Sequence, residues 1–141
     1  MSNPVLVLAE RGGAVESFHR GALAIVDAEG AVHTELGDID RPVFPRSAVK
    51  ALQALPLLAS GAAERFKLTD EQIALACASH GGEPAHAATA AAMLAQAGLD
   101  ATALECGAHW PGFDGALRAL AREGGEPGAL HNNCSGKHAG F

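Results

Sequence analysis

FPRSAVKALQALPLL, residues 44–58, is where the chain changes texture. Before it, short apolar runs alternate with turn residues. After it, alanine and leucine dominate. Residues 4–9 (PVLVLA) read as a strand, and residues 15–20 add another. Residues 22–27 (ALAIVD) and 31–36 (AVHTEL) flank Ala-Glu-Gly, with Gly30 as the turn residue, the pattern of a hairpin. From Ser47 to about Ala59 the composition favours helix, and Pro56 is expected to kink or shorten it. Residues 69–72 (TDEQ) fit a capping box with Thr69 as N-cap and Gln72 at N3. Residues 84–97 carry Pro84 near N1 and Gly98 as the stop, and so predict a helix. A further helix is expected over 114–122, closed by Gly124 and Gly125. The pattern predicts an α/β (α+β) fold, an antiparallel sheet flanked by helices, with residues 1–43 rich in β and 44–141 mainly helical.

The 141 residues suffice for one domain with a real core, and 48% are hydrophobic, which excludes disorder. The net charge of −6 argues against a nucleic-acid surface, which needs clustered Lys and Arg. No basic amphipathic stretch suits a membrane surface, and no run approaches a transmembrane length. The opening MSNPVLVLAE lacks a basic n-region and its apolar run is short for a signal core. Cys77, Cys106 and Cys134 are an odd number at wide spacings, which is not a disulfide framework. A cytoplasmic protein is expected.

Three stretches are rich in chemistry. The first sets Ser47 three residues before Lys50, one of only three lysines (with Lys67 and Lys137). On a helix, i and i+3 share a face. A serine hydroxyl is a poor nucleophile until a base takes its proton. Lysine serves as that base only when neutral, and burial or a nearby cation raises the neutral fraction. Ser-x-x-Lys at a helix start is a pattern of serine acyl enzymes. It is equally the pattern of an N-cap serine followed by an exposed lysine. The second stretch is ALACASHGGEPAH, 74–86. There Ser79 ends an apolar segment at a Gly-Gly turn, beside His80 and His86. Gly81 and Gly82 permit close backbone approach. An ordinary turn ahead of Pro84 explains the same residues. The third is HNNCSGKHAGF, 131–141. It fails as a phosphate loop, since His131 stands where the first glycine belongs and His138 follows Lys137. His131, Cys134 and His138 have metal-ligand spacing, yet a structural zinc takes four ligands. A Cys134 thiolate helped by Lys137 is another reading. Cys77, Cys106, His19, His33 and His109 read as structural.

Together, PRSAVKALQALPL (45–57), ACASHGGEPAH (76–86) and NNCSGKHAGF (132–141) resemble, in order and spacing, the rhizobial-type, thermolabile L-asparaginases of the asparaginase II family. The resemblance implies a bacterial amidohydrolase that converts L-asparagine to L-aspartate and ammonia. It implies a fold similar to serine β-lactamases and glutaminases, incomplete in this chain. Ser47 with Lys50 matches the family's first Ser-Lys pair, and Ser79 matches the serine of the second. Cys134 and Lys137 match ligands of a zinc site. Arg46 and His138 are candidate electrostatic helpers in substrate binding, with Arg46 expected either to depress the Lys50 pKa or to hold the substrate carboxylate. The lysine partner of Ser79 and a further cysteine are expected beyond residue 141. The chain then reads as the N-terminal part of a single domain, 1–141, acting as a homodimer or with a complementing C-terminal part. The alternative is a catalytically inactive module that binds an amino acid or zinc.

Overall fold

The structure, a computed structural model, describes residues 3–141. It divides into two compact units, one ending at Phe44 and one running from Pro45 to Phe141.

The first unit consists of two hairpins. Strand β1 (Val5–Arg11) pairs antiparallel with β2 (Ala14–Arg20). The connection is Gly12-Gly13, both at positive φ (59° and 79°), which a two-residue turn matched to strand twist requires. Leu8 faces Phe18 across the pair. Strand β3 (Leu23–Val26) pairs with β4 (Val32–Leu36). Asp27 holds that turn, its Oδ1 accepting from the Glu29 and Ala31 N–H groups. The strands expected from the apolar runs are therefore present. They form two separate two-stranded sheets.

The second unit is helical. The helix expected from Ser47 is broken in two places. Residues Arg46–Val49 form a 3-10 turn. Helix α1 (Lys50–Gln53) follows, and α2 (Leu55–Ala59) restarts after Ala54. Pro56 sits in the first turn of α2, where its missing N–H has no helical partner to lose. A short α3 (Ala62–Arg65) leads to α4 (Asp70–Ala76). The capping box at the start of α4 is as predicted. Thr69 Oγ1 accepts from the Gln72 N–H at 3.3 Å, and Gln72 Oε1 accepts from the Thr69 N–H at 2.8 Å. Helix α5 (Pro84–Gln96) ends at Gly98, which turns left-handed (φ 75°). Helix α6 spans Asp114–Arg122, as predicted, and α7 spans Ser135–Gly140.

The core is small. Leu75, Ala76, Ala90 and Met93 are buried, with Leu57, Leu68, Leu130 and Ala139 packed against them. Helix α7 lies close on α4 because it presents Gly136 and Gly140, four apart and on one face. A Cβ at Gly136 would sit 2.5 Å from Leu75 Cγ and 2.6 Å from the Leu75 carbonyl oxygen. Gly136→Ala is therefore expected to wedge the two helices apart at a cost of about 3 kcal/mol. In urea unfolding this shows as a lower midpoint at unchanged slope. An unchanged midpoint would mean that the seam relaxes freely.

Candidate active site

Lys50 is the centre of the arrangement. It is 3% exposed, and no carboxylate pairs with it among the described residues. Its Nζ lies 2.8 Å from the Ala78 carbonyl oxygen, 2.8 Å from Ser79 Oγ and 3.3 Å from the Asn133 carbonyl oxygen. Ser79 Oγ is in turn 2.8 Å from Ser47 Oγ. The three side chains thus form a chain, Ser47–Ser79–Lys50. The i to i+3 spacing predicts direct contact of Ser47 with Lys50. The structure instead gives no direct hydrogen bond between these two side chains, and Ser79 stands between them. Ser47 lies in the 3-10 turn ahead of α1 and Lys50 opens α1, and the Ser79 hydroxyl, from the end of α4, is hydrogen-bonded to both.

The turn that presents Ser47 is unusual. Arg46 has φ 47°, a left-handed conformation that costs energy for any residue with a Cβ. Ser79 comes two residues after Cys77, the C-cap of α4, where the Ala78 N–H closes on the Leu75 carbonyl at 3.1 Å. Both serines are exposed, whereas the lysine beneath them is buried.

Asn133 is held by its neighbours. Asn132 Oδ1 accepts from the Cys134 N–H at 2.9 Å. Its Nδ2 donates to the carbonyls of Cys106 (2.7 Å) and Gly107 (3.2 Å). Sequence reasoning missed Asn132 as a staple, though Asn-Asn before a helix start is a turn signal. It also missed Asn133, which acts through its backbone and so leaves no mark in residue type.

Gly81 and Gly82 allow close approach, as expected, but the approach is to the protein itself. A Cβ at Gly82, where φ is 73°, would lie 2.6 Å from the His131 carbonyl oxygen and 2.9 Å from Pro111 Cα. The Gly81 carbonyl accepts from the Phe113 N–H at 2.9 Å. His80 is buried. Its Nδ1 accepts from the Gly82 N–H at 3.1 Å, and its Nε2 lies 2.9 Å from Ser135 Oγ. Burial first, then the charges of His86 and Lys50, lower its pKa to about 4, so the ring is neutral at pH 7. The His86 ring lies 5.0 Å from that of His80. A cavity of about 530 Å³ opens beside Ser79 and is also lined by Glu71, His80, Gly81 and His86.

The other expected site residues are placed differently. Arg46 is exposed, next to Ser47, and its side chain makes no hydrogen bond or ion pair among the described residues. His138 lies on the wall of a second, larger cavity of about 710 Å³, with Leu57, Met93 and Phe141. Its pKa is lowered by burial and then by the Lys137 charge, against an opposing pull from Glu105. Lys137 Nζ sits 5.5 Å from the centre of the Phe141 ring. Cys134 is half-buried and unpaired. No group of three His, Cys, Asp or Glu side chains among the described residues surrounds a point where a metal would sit. Cys134 and Lys137 supply two donors where structural zinc takes four, so no step below is routed through a metal. No helix among the described residues is long and apolar enough to cross a membrane.

A search of curated proteins finds no match. The family model for L-asparaginase II, however, matches residues 7–141. Nearly the whole chain lies inside that match, both serines and the buried lysine included, and the protein belongs to the L-asparaginase II family.

Proposed function

We propose that the protein hydrolyses the side-chain amide of L-asparagine by acyl transfer, with Ser47 as nucleophile, Ser79 as proton relay and Lys50 as base. The observation that carries this reading is the position of Ser79 Oγ, 2.8 Å from both Ser47 Oγ and Lys50 Nζ. A neutral amine has two N–H groups and one lone pair. Lys50 meets two carbonyls, which only accept, and one hydroxyl, which can also donate. To act as a base, Lys50 gives two hydrogens to Ala78 and Asn133 and turns its lone pair to Ser79, the one partner whose group can donate as well as accept. As Ser47 Oγ bonds to the amide carbon, its proton passes to Ser79 Oγ, and the Ser79 proton passes to Lys50. Returning that proton to the leaving nitrogen releases ammonia, and water then hydrolyses the ester along the same relay.

The negative oxygen of the intermediate needs donors. The His80 N–H is committed to Asn133 and the Gly82 N–H to His80. The Ser79 and Gly81 N–H groups have no acceptor among the described residues, and we assign them that role. Arg46 is the cation assigned to the substrate carboxylate.

Ser79 as the nucleophile is a second reading, favoured by the cavity beside it. Ser47→Ala separates the two. If Ser47 attacks, ammonia release falls by at least about a thousandfold, and Ser79→Ala falls nearly as far because the relay is cut. A Ser47→Ala protein at the wild-type rate moves the nucleophile to Ser79. Binding heat from L-asparagine without any ammonia from the wild-type protein would favour an inactive binding module instead.

A further inference from the structure

Beneath the exposed serines lies a second polar chain that the proposed chemistry does not use. Ser135 is fully buried, at 0% exposure, and its hydroxyl donates to the Leu130 carbonyl at 3.0 Å. With its only hydrogen spent there, Ser135 Oγ accepts from His80 Nε2 at 2.9 Å. His80 Nδ1 then carries no proton and accepts from the Gly82 N–H at 3.1 Å. The network assigns one tautomer to His80, neutral with its hydrogen on Nε2. The His80 backbone N–H also donates to the Asn133 carbonyl, the same oxygen that Lys50 Nζ contacts. One residue thus ties the loop carrying Ser79 to segment 130–135 from both its ring and its backbone.

We propose that His80 and Ser135 are positioning residues: they latch the Ser79 loop to the Asn133 segment and so set the spacing of Ser47, Ser79 and Lys50. This rests on the function proposed above. The serine relay works only at hydrogen-bond distance, so a shift of about 1 Å in the Ser79 loop is enough to break it. Neither His80 nor Ser135 touches Ser47, Ser79 Oγ or Lys50 Nζ among the described hydrogen bonds, so neither is a catalytic residue. Their neutral, fully partnered chain is a rigid mount: each donor has one acceptor and no alternative.

The test compares Ser135→Ala and His80→Asn with the wild-type 141-residue chain, by amide hydrogen exchange and by ammonia release from L-asparagine. Ser135→Ala leaves the ring in place and removes its Nε2 acceptor. His80→Asn keeps an acceptor near the Nδ1 position for Gly82 and loses the reach to Ser135. Both are expected to speed exchange of the His80 and Gly82 amides by about tenfold or more, while the amides of α5 keep wild-type rates. Both are expected to lower kcat by about tenfold or more with KM held within about twofold. Unchanged loop exchange overturns the latch. Wild-type kcat with a loosened loop overturns the positioning role, and loosening that extends through α5 reduces the pair to ordinary core. If the wild-type chain releases no ammonia, the function proposed above falls, and the latch is then decided by the exchange measurements alone.

Discussion

Lys50→Met is expected to lower ammonia release from L-asparagine by about a thousandfold or more, the loss that follows when a nucleophile's base is removed. Methionine has nearly the length of lysine and no proton chemistry, so it fills the same buried channel. It removes the Lys50 donor from the Ala78 carbonyl, while the Asn133 carbonyl keeps the His80 N–H. The companion variant is Lys50→Arg. Arginine keeps the charge and the donors but cannot give up its proton. If Lys50 works as a base, Lys50→Arg is as inactive as Lys50→Met. If Lys50 only supplies positive charge, Lys50→Arg retains activity and Lys50→Met does not. A Lys50→Met protein with more than about a tenth of wild-type activity, folded by near-ultraviolet circular dichroism, would remove Lys50 from the mechanism.

The second large effect concerns pH. His80 is held neutral in the folded protein, its pKa lowered from 6.5 to about 4. The unfolded chain therefore binds more protons than the folded one between these values, and stability falls as pH falls. The contribution is fully present above about pH 6.5, is lost as pH drops toward 4, and levels off below that. Between pH 7 and pH 4 the loss is about 3 kcal/mol. The groups that drive it are the burial of the ring and the neighbouring His86 and Lys50. His138, also shifted down, adds to the loss in the same direction. Urea unfolding at pH 7, 5.5 and 4 measures the slope, and the difference between wild type and His80→Asn isolates the His80 share. A midpoint that does not move from pH 7 to pH 4 would show that the ring is not buried as neutral imidazole.

The local signals in the sequence were legible and the long-range ones were not. The Thr69–Gln72 capping box, the Pro84 start and Gly98 stop of α5, and the span of α6 are all written within a few neighbouring residues. Each formed as expected. The hairpin at Gly30 was legible for the same reason. The candidate site was half-legible. The types and positions of Ser47, Lys50 and Ser79 drew notice, but helical spacing did not show that Ser79 would stand between the other two. Lys50 meets Ser79 across 29 residues of chain and Asn133 across 83. No periodicity reports such a distance. Likewise, Gly81 and Gly82 advertise close approach without saying to what, and it is the protein's own backbone that takes the space.

Ser79 is a junction with two connections, and it is the only hydrogen-bonded link from Ser47 to Lys50 among the described residues. If Ser47 attacks as proposed, an inhibitor has no need to reach its oxygen. A small polar molecule seated in the cavity beside Ser79, with one acceptor that captures the Ser79 hydroxyl, would disconnect Ser47 from Lys50 while leaving both untouched. Such a compound competes for a hydrogen bond within the protein, and its design begins from the shape of that cavity instead of from the substrate's.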